Sequence, residues 1–157
     1  MDAIKNTDYS DNFDGPLGET VYQLSLSESA AIFDVAFGEE EKSFSSFSDD
    51  HWFVKADCQA VGRWIEAYNA DENEPVSFVL KESMSWEEDM DIYFCVSRMI
   101  VLKTSWKNFV ENWDSFLACE DDCPIVIQDV KKREALMFTS MGEIRQIKES
   151  VDTQSCR

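Results

Sequence analysis

One histidine, His51, is all that the sequence offers for imidazole chemistry, so a Ser-His-Asp or Cys-His arrangement would have to be built around a single position. Its place beside Trp52 at a predicted helix start assigns it a structural role near a cap. Glycine (five) and proline (three) are also scarce, which excludes a collagen-like chain, a low-complexity linker or a disordered tail. There is no G-x-G-x-x-G and no G-x-x-x-x-G-K-[ST], so a nucleotide cradle has nothing to rest on. The longest aliphatic run, Met99 to Leu102, is too short for a bilayer span, and residues 1–8 lack the basic flank and apolar run of a signal peptide. A soluble, cytoplasmic protein is expected. Cations are few as well: 14 Lys and Arg against 32 Asp and Glu give a net charge of −18. Such a field repels phosphate backbones and anionic membranes and attracts cationic proteins, so neither nucleic acid nor membrane is expected as a partner.

Five cysteines (Cys58, Cys95, Cys119, Cys123, Cys156) form an odd set without the spacing of a disulfide framework, and they read as reduced thiols. Cys119-x-x-x-Cys123 lacks the further ligands of a zinc site. Neither Glu87-Glu88-Asp89-x-Asp91 nor Glu120-Asp121-Asp122 follows the alternating ligand pattern of a calcium loop. No catalytic residue, metal or cofactor is assigned, and the protein is read as a non-enzyme.

What is present is a chain of 157 residues, 44% hydrophobic and 13% aromatic, long enough for one domain with a core. The expected class is α+β: N-terminal helices on a mainly antiparallel sheet, with one amphipathic helix inserted between strands. Residues 1–24, rich in turn formers (Asp11-Asn12-Phe13-Asp14-Gly15-Pro16), predict an irregular arm pinned by Phe13, Leu17 and Tyr22. Residues 25–70 read as helical. Ser25-Leu26-Ser27-Glu28 is a capping box ahead of Ala31, Ile32, Val35 and Ala36, and Gly38 stops the helix. Asp49 or Asp50 is placed to cap a second helix through Phe53, Ala56, Ala60, Val61, Trp64, Ile65 and Tyr68.

Residues 76–148 read as sheet and helix, with 149–157 a tail. Strands are expected at Val76–Leu80, Ile92–Val96, Met99–Lys103, Ile125–Gln128, Ala135–Thr139 and Glu143–Ile147, the second and third forming a hairpin and the last pair turning at Met141-Gly142. Thr104 or Ser105 caps a helix whose stripe is Trp106, Phe109, Val110, Trp113, Phe116 and Leu117. Lys131-Lys132-Arg133 is expected as a solvated turn, because a nucleic-acid footprint needs several such clusters on one face.

The charge is uneven: residues 1–50 carry net −10, 51–100 net −6 and 101–157 net −2. Aromatics beside acids supply the anchor that charge alone lacks. The partner-binding candidates are therefore Trp86, Glu87, Glu88, Asp89 and Asp91 with Glu120, Asp121 and Asp122. A second candidate surface comprises Glu39, Glu40 and Glu41 with Asp49 and Asp50.

Tyr93-Phe94-Cys95, then Trp106-x-x-Phe109-x-x-x-Trp113-x-x-Phe116-Leu117, then Asp121-Asp122-x-Pro124 and a β-run together resemble small acidic bacterial immunity proteins of contact-dependent growth inhibition and other polymorphic toxin systems. The resemblance covers about residues 91–140 and carries no functional residues over. It implies a cytoplasmic inhibitor that binds its cognate basic toxin domain, a nuclease in many such systems, and occludes the active site or substrate groove. Steering by opposite charge would speed that capture by one to three orders of magnitude. Three other readings stand beside it: a DNA mimic that occupies DNA-binding proteins, a small carboxylate-based hydrolase, and acidity that serves solubility alone. The sequence leaves the oligomeric state open.

Overall fold

A computed structural model describes residues 1–38, 47–119 and 123–149. In chain order its elements are β1 (Asp2–Ala3), α1 (Leu17–Thr20), β2 (Tyr22–Gln23), α2 (Leu26–Phe37), α3 (Trp52–Lys55), β3 (Asp57–Arg63), α4 (Ile65–Asn69) and α5 (Glu74–Ser83). Then follow β4 (Asp91–Cys95), β5 (Val101–Ser105), α6 (Trp106–Glu111), α7 (Trp113–Leu117), β6 (Ile125–Ile127), β7 (Glu134–Phe138) and β8 (Glu143–Lys148). The strands form one antiparallel sheet in the order β1-β2-β5-β4-β6-β7-β8-β3. The α+β expectation holds.

Period-two alternation splits the strand side chains between two cores. Ile92, Phe94, Leu102, Val126, Leu136, Phe138 and Ile144 face α5, α6, α7 and the N-terminal arm. Cys95, Val101, Ile125, Ile127, Ala135, Met137 and Ile147 face α2 and α3. Because the central strands are covered on both sides, they are apolar in consecutive positions: all three residues of β6 are buried.

The capping box forms as the sequence predicts. Glu28 N–H donates to Ser25 Oγ at 3.1 Å, and Ser25 N–H donates to Glu28 Oε1 at 2.9 Å. These bonds, with the nearby chain N-terminus, hold the Glu28 carboxyl at about 2, against an ordinary 4.5. The face that α2 buries is shifted from the expected one: Phe33, Ala36 and Phe37 enter the core while Ala31 and Val35 are exposed. The arm is less irregular than expected, since β1 and β2 extend the sheet beyond β5. Phe13 is buried and Leu17 and Tyr22 half-buried as proposed, and Ile4 and Val21 anchor the arm beside them.

Two elements differ in kind. The helix expected through Phe53 to Tyr68 is a single turn (α3), a strand (β3) and another short helix (α4). Its helical spacing is incidental: Ala60 is exposed while Ala56 packs against the α2–α3 core, and pairing with β8 makes residues 57–63 a strand. The strand expected at Val76–Leu80 is inside α5, where Pro75 occupies the first turn and Val76 and Leu80, four apart, are the buried pair. The β4–β5 hairpin is as expected, with Ile92 opposite Thr104 and Phe94 opposite Leu102. Ser105 caps α6 through Asn108 N–H, and all six stripe residues are buried, but the helix breaks at Asn112 into α6 and α7. β6, β7, β8 and the β7–β8 turn lie where predicted.

Candidate functional site

The turn from α5 to β4 carries the first set of predicted partner residues. Glu87, Glu88 and Asp89 are exposed and make no ion pair among the described residues, while Asp91 lies 3.5 Å from Lys103 Nζ. The turn is tied down through its backbone: Trp106 N–H donates to Met90 O at 2.8 Å and Lys107 N–H to Glu88 O at 2.9 Å. Amides that the first turn of α6 would otherwise leave unsatisfied are thus paired with the acidic turn. Three carboxylates therefore project from a backbone fixed to the core.

Trp86 does not sit with them. It is 9% exposed, packs edge-on against Trp106 with centroids 4.9 Å apart, and donates Nε1–H to Glu134 Oε1 at 3.0 Å. The residue expected as a surface anchor is a core residue that holds the acidic turn down. Glu120, Asp121 and Asp122, the other half of this set, lie outside the described residues. On the second candidate surface Glu39, Glu40 and Glu41 likewise lie outside, and Asp49 and Asp50 are exposed.

Sequence reasoning missed Phe78. It stands 65% exposed on α5 beside a shallow cleft of about 790 Å³ lined by Asp71, Glu72, Asn73, Glu74 and Pro75. Asn73 is fixed there, donating Nδ2–H to Asp114 Oδ1 at 3.0 Å and accepting Trp113 Nε1–H at 3.1 Å. The available signal was Pro75: read as a helix start, it places Val76 and Leu80 inward and Phe78 outward.

A larger cleft, about 850 Å³, opens between the end of α2, α3 and the β6–β7 turn, and Asp50, His51, Trp52, Lys55, Lys131 and Arg133 line part of it. His51 caps α3. Its Nδ1 accepts Phe53 N–H at 3.1 Å and its Nε2–H donates to Phe37 O, with Phe47 stacked at 4.2 Å. Both ring nitrogens are committed to backbone, so the imidazole is not poised to take a proton from a substrate. His51→Ala should remove a cap and orphan a carbonyl, lowering stability by about 1–3 kcal/mol. A urea-unfolding midpoint equal to that of the unaltered protein would contradict this role.

Other groups here serve structure as well. Asp34 is held below the ordinary carboxylate range by a bidentate bond from Arg98, at 2.7 and 2.9 Å. Arg133 lies over Trp52 at 5.7 Å and pairs with Glu149. Lys131, Lys132 and Arg133 form the exposed turn that was expected.

Cys58, Cys95 and Cys123 are free thiols, and burial pushes Cys95 up to about 12. Among the described residues no three His, Cys, Asp or Glu side chains converge as a metal-ligand set, and no helix is long and apolar enough to cross a membrane. A family model described as "Protein of unknown function (DUF2947)" matches residues 14–146. No curated protein and no solved structure matches the chain.

Proposed function

The chain belongs to the DUF2947 family of proteins of unknown function, and we propose that it works by binding rather than by chemistry, as an acidic inhibitor that captures a cationic protein domain. The resemblance to immunity proteins makes a cognate toxin, such as a nuclease, the partner we favour, with occlusion of its active site or substrate groove as the mechanism. The observation that carries this reading is the Glu87-Glu88-Asp89 turn. In a chain of net −18, these carboxylates stand exposed, with no ion pair among the described residues, on a backbone anchored to α6. Fixed carboxylates steer an incoming cationic surface without first having to be ordered.

The hydrolase alternative needs a carboxyl kept protonated by its surroundings. Among the described residues, every carboxyl whose titration departs from the ordinary range moves down, beside a cation or a backbone amide.

The test is capture from a lysate of the protein's own source at low and high salt, followed by an activity assay of what is retained. One cationic toxin domain, held near one-to-one and inactivated, supports the proposal. Many DNA-binding proteins released by salt favour mimicry, and an empty capture returns the acidity to solubility. Lysine substitution of Glu87, Glu88 and Asp89 together should slow association with the captured domain about tenfold or more at low salt and flatten its salt dependence. An unchanged rate would move the contact to the Asp71–Phe78 cleft or the second candidate surface.

A further inference from the structure

The sheet ends on its longest strand. β3 has seven residues, pairs only with β8 among the described residues, and leaves Asp57, Cys58, Gln59 and Ala60 exposed. Exposed edges of this length are ordinarily broken by lysine, proline, a bulge or a shortened strand, because their free N–H and C=O groups template another chain. Of these β3 has only a bulge; between Asp57 and Arg63 it reads Cys-Gln-Ala-Val-Gly, without charge. Its one irregularity, a bulge between Ala60 and Gly62, turns Val61 and Gly62 toward α5, where Val79 packs on them. The opposite edge, β1, is only two residues long.

Charge selects what can approach this edge. The segments 55–66 and 129–149, which hold β3, β7, β8 and their connections, carry seven of the fourteen cations against six carboxylates. That is a net of +1, so the rest of the chain carries −19. Here another strongly anionic chain can come close without net repulsion. The strand is also self-complementary. In an antiparallel pair turned about Ala60, Asp57 of each copy, at the strand's first position, faces Arg63 of the other, at its last. Unlike charges therefore meet at both ends once Arg63, which within one copy binds Glu66 at 2.8 Å and Met141 O at 3.2 Å, turns to the open edge, and the reach of its side chain absorbs the residue added by the bulge.

We propose that β3 is a homodimer interface, joining two copies edge to edge into one continuous antiparallel sheet closed by a two-fold axis. The inference is independent of the partner proposed above. The dimer would leave the Glu87–Asp89 turn of each copy free and so present it twice.

Sedimentation equilibrium of the full chain tests this. The unaltered protein should dimerise reversibly at concentrations up to about 0.1 mM. Asp57→Arg replaces two attractions by two repulsions and should weaken dimerisation about tenfold or more, and adding Arg63→Asp should restore it by reversing both charges. Both positions are exposed, so circular dichroism melts should show all variants folded. A monomer throughout this range overturns the proposal. So does a dimer indifferent to Asp57→Arg, or a double variant no better than the single one.

Discussion

Gly142→Ala should destabilise the protein by about 2–6 kcal/mol, combining backbone strain with overpacking. In a chain of this size that lowers the melting temperature by roughly 5–20 °C. Gly142 closes the β7–β8 turn at φ +95°, a conformation that side chains rarely adopt. There is also no room for one. A Cβ would meet Ile65 Cγ2 and come within 2.9 Å of Arg63 Nη2, because the link from β3 to α4 crosses directly over the turn. That crossing is held by Trp64 N–H on Gly142 O at 2.9 Å and Trp64 Nε1–H on Thr139 O at 3.0 Å. Gly15 and Gly38 separate the two causes, since both have positive φ but nothing within 4 Å of a built Cβ. Alanine at either should therefore show strain alone, about 1–3 kcal/mol. Equal losses at Gly142 and Gly15 in thermal unfolding would show that the crossing contributes nothing.

The same crossing explains which parts of the fold the sequence discloses. A local signal is legible where it decides the outcome locally. Ser25 and Glu28 satisfy one another three residues apart, and the runs on either side of Ser97-Arg98 need only a short turn to pair. The β3 strand is different. Its residues are mostly exposed, only Val61 and Gly62 are half-buried, and its identity depends on β8, some eighty to ninety residues away in sequence. Accidental spacings of three and four then outweigh a true strand that buries too little to display a period of two.

The α5 segment fails for the opposite reason. Val76, Phe78 and Val79 have strand-like composition, but Pro75 and the Val76–Leu80 spacing carry the correct answer. Trp86 shows the limit at the candidate site. Neighbouring carboxylates made it look like surface, and nothing near it in sequence announces Trp106 or Glu134, its actual partners. The exposed Glu87, Glu88 and Asp89 were legible because ionised carboxylates are seldom buried without a partner.

Trp113→Ala should have a comparable effect, about 3–5 kcal/mol, and it can also separate two acidic faces. Trp113 is fully buried, so truncation opens a cavity the size of an indole between α7 and the α4–α5 connection. It also removes the Nε1–H bond to Asn73 O, at 3.1 Å. Trp113→Phe keeps most of the volume and loses chiefly that bond, so a smaller cost of about 1–2 kcal/mol is expected, readable as a lower urea midpoint with an unchanged slope. Because Asn73 belongs to the Asp71–Glu74 turn, the phenylalanine variant loosens that cleft while the fold stays intact. The Glu87–Asp89 turn is fastened elsewhere, through α6. A partner seated on Glu87–Asp89 should therefore bind Trp113→Phe as it binds the unaltered protein. A partner seated on the Phe78 cleft should dissociate faster from the variant, since ordering the loosened turn again adds to the cost of binding.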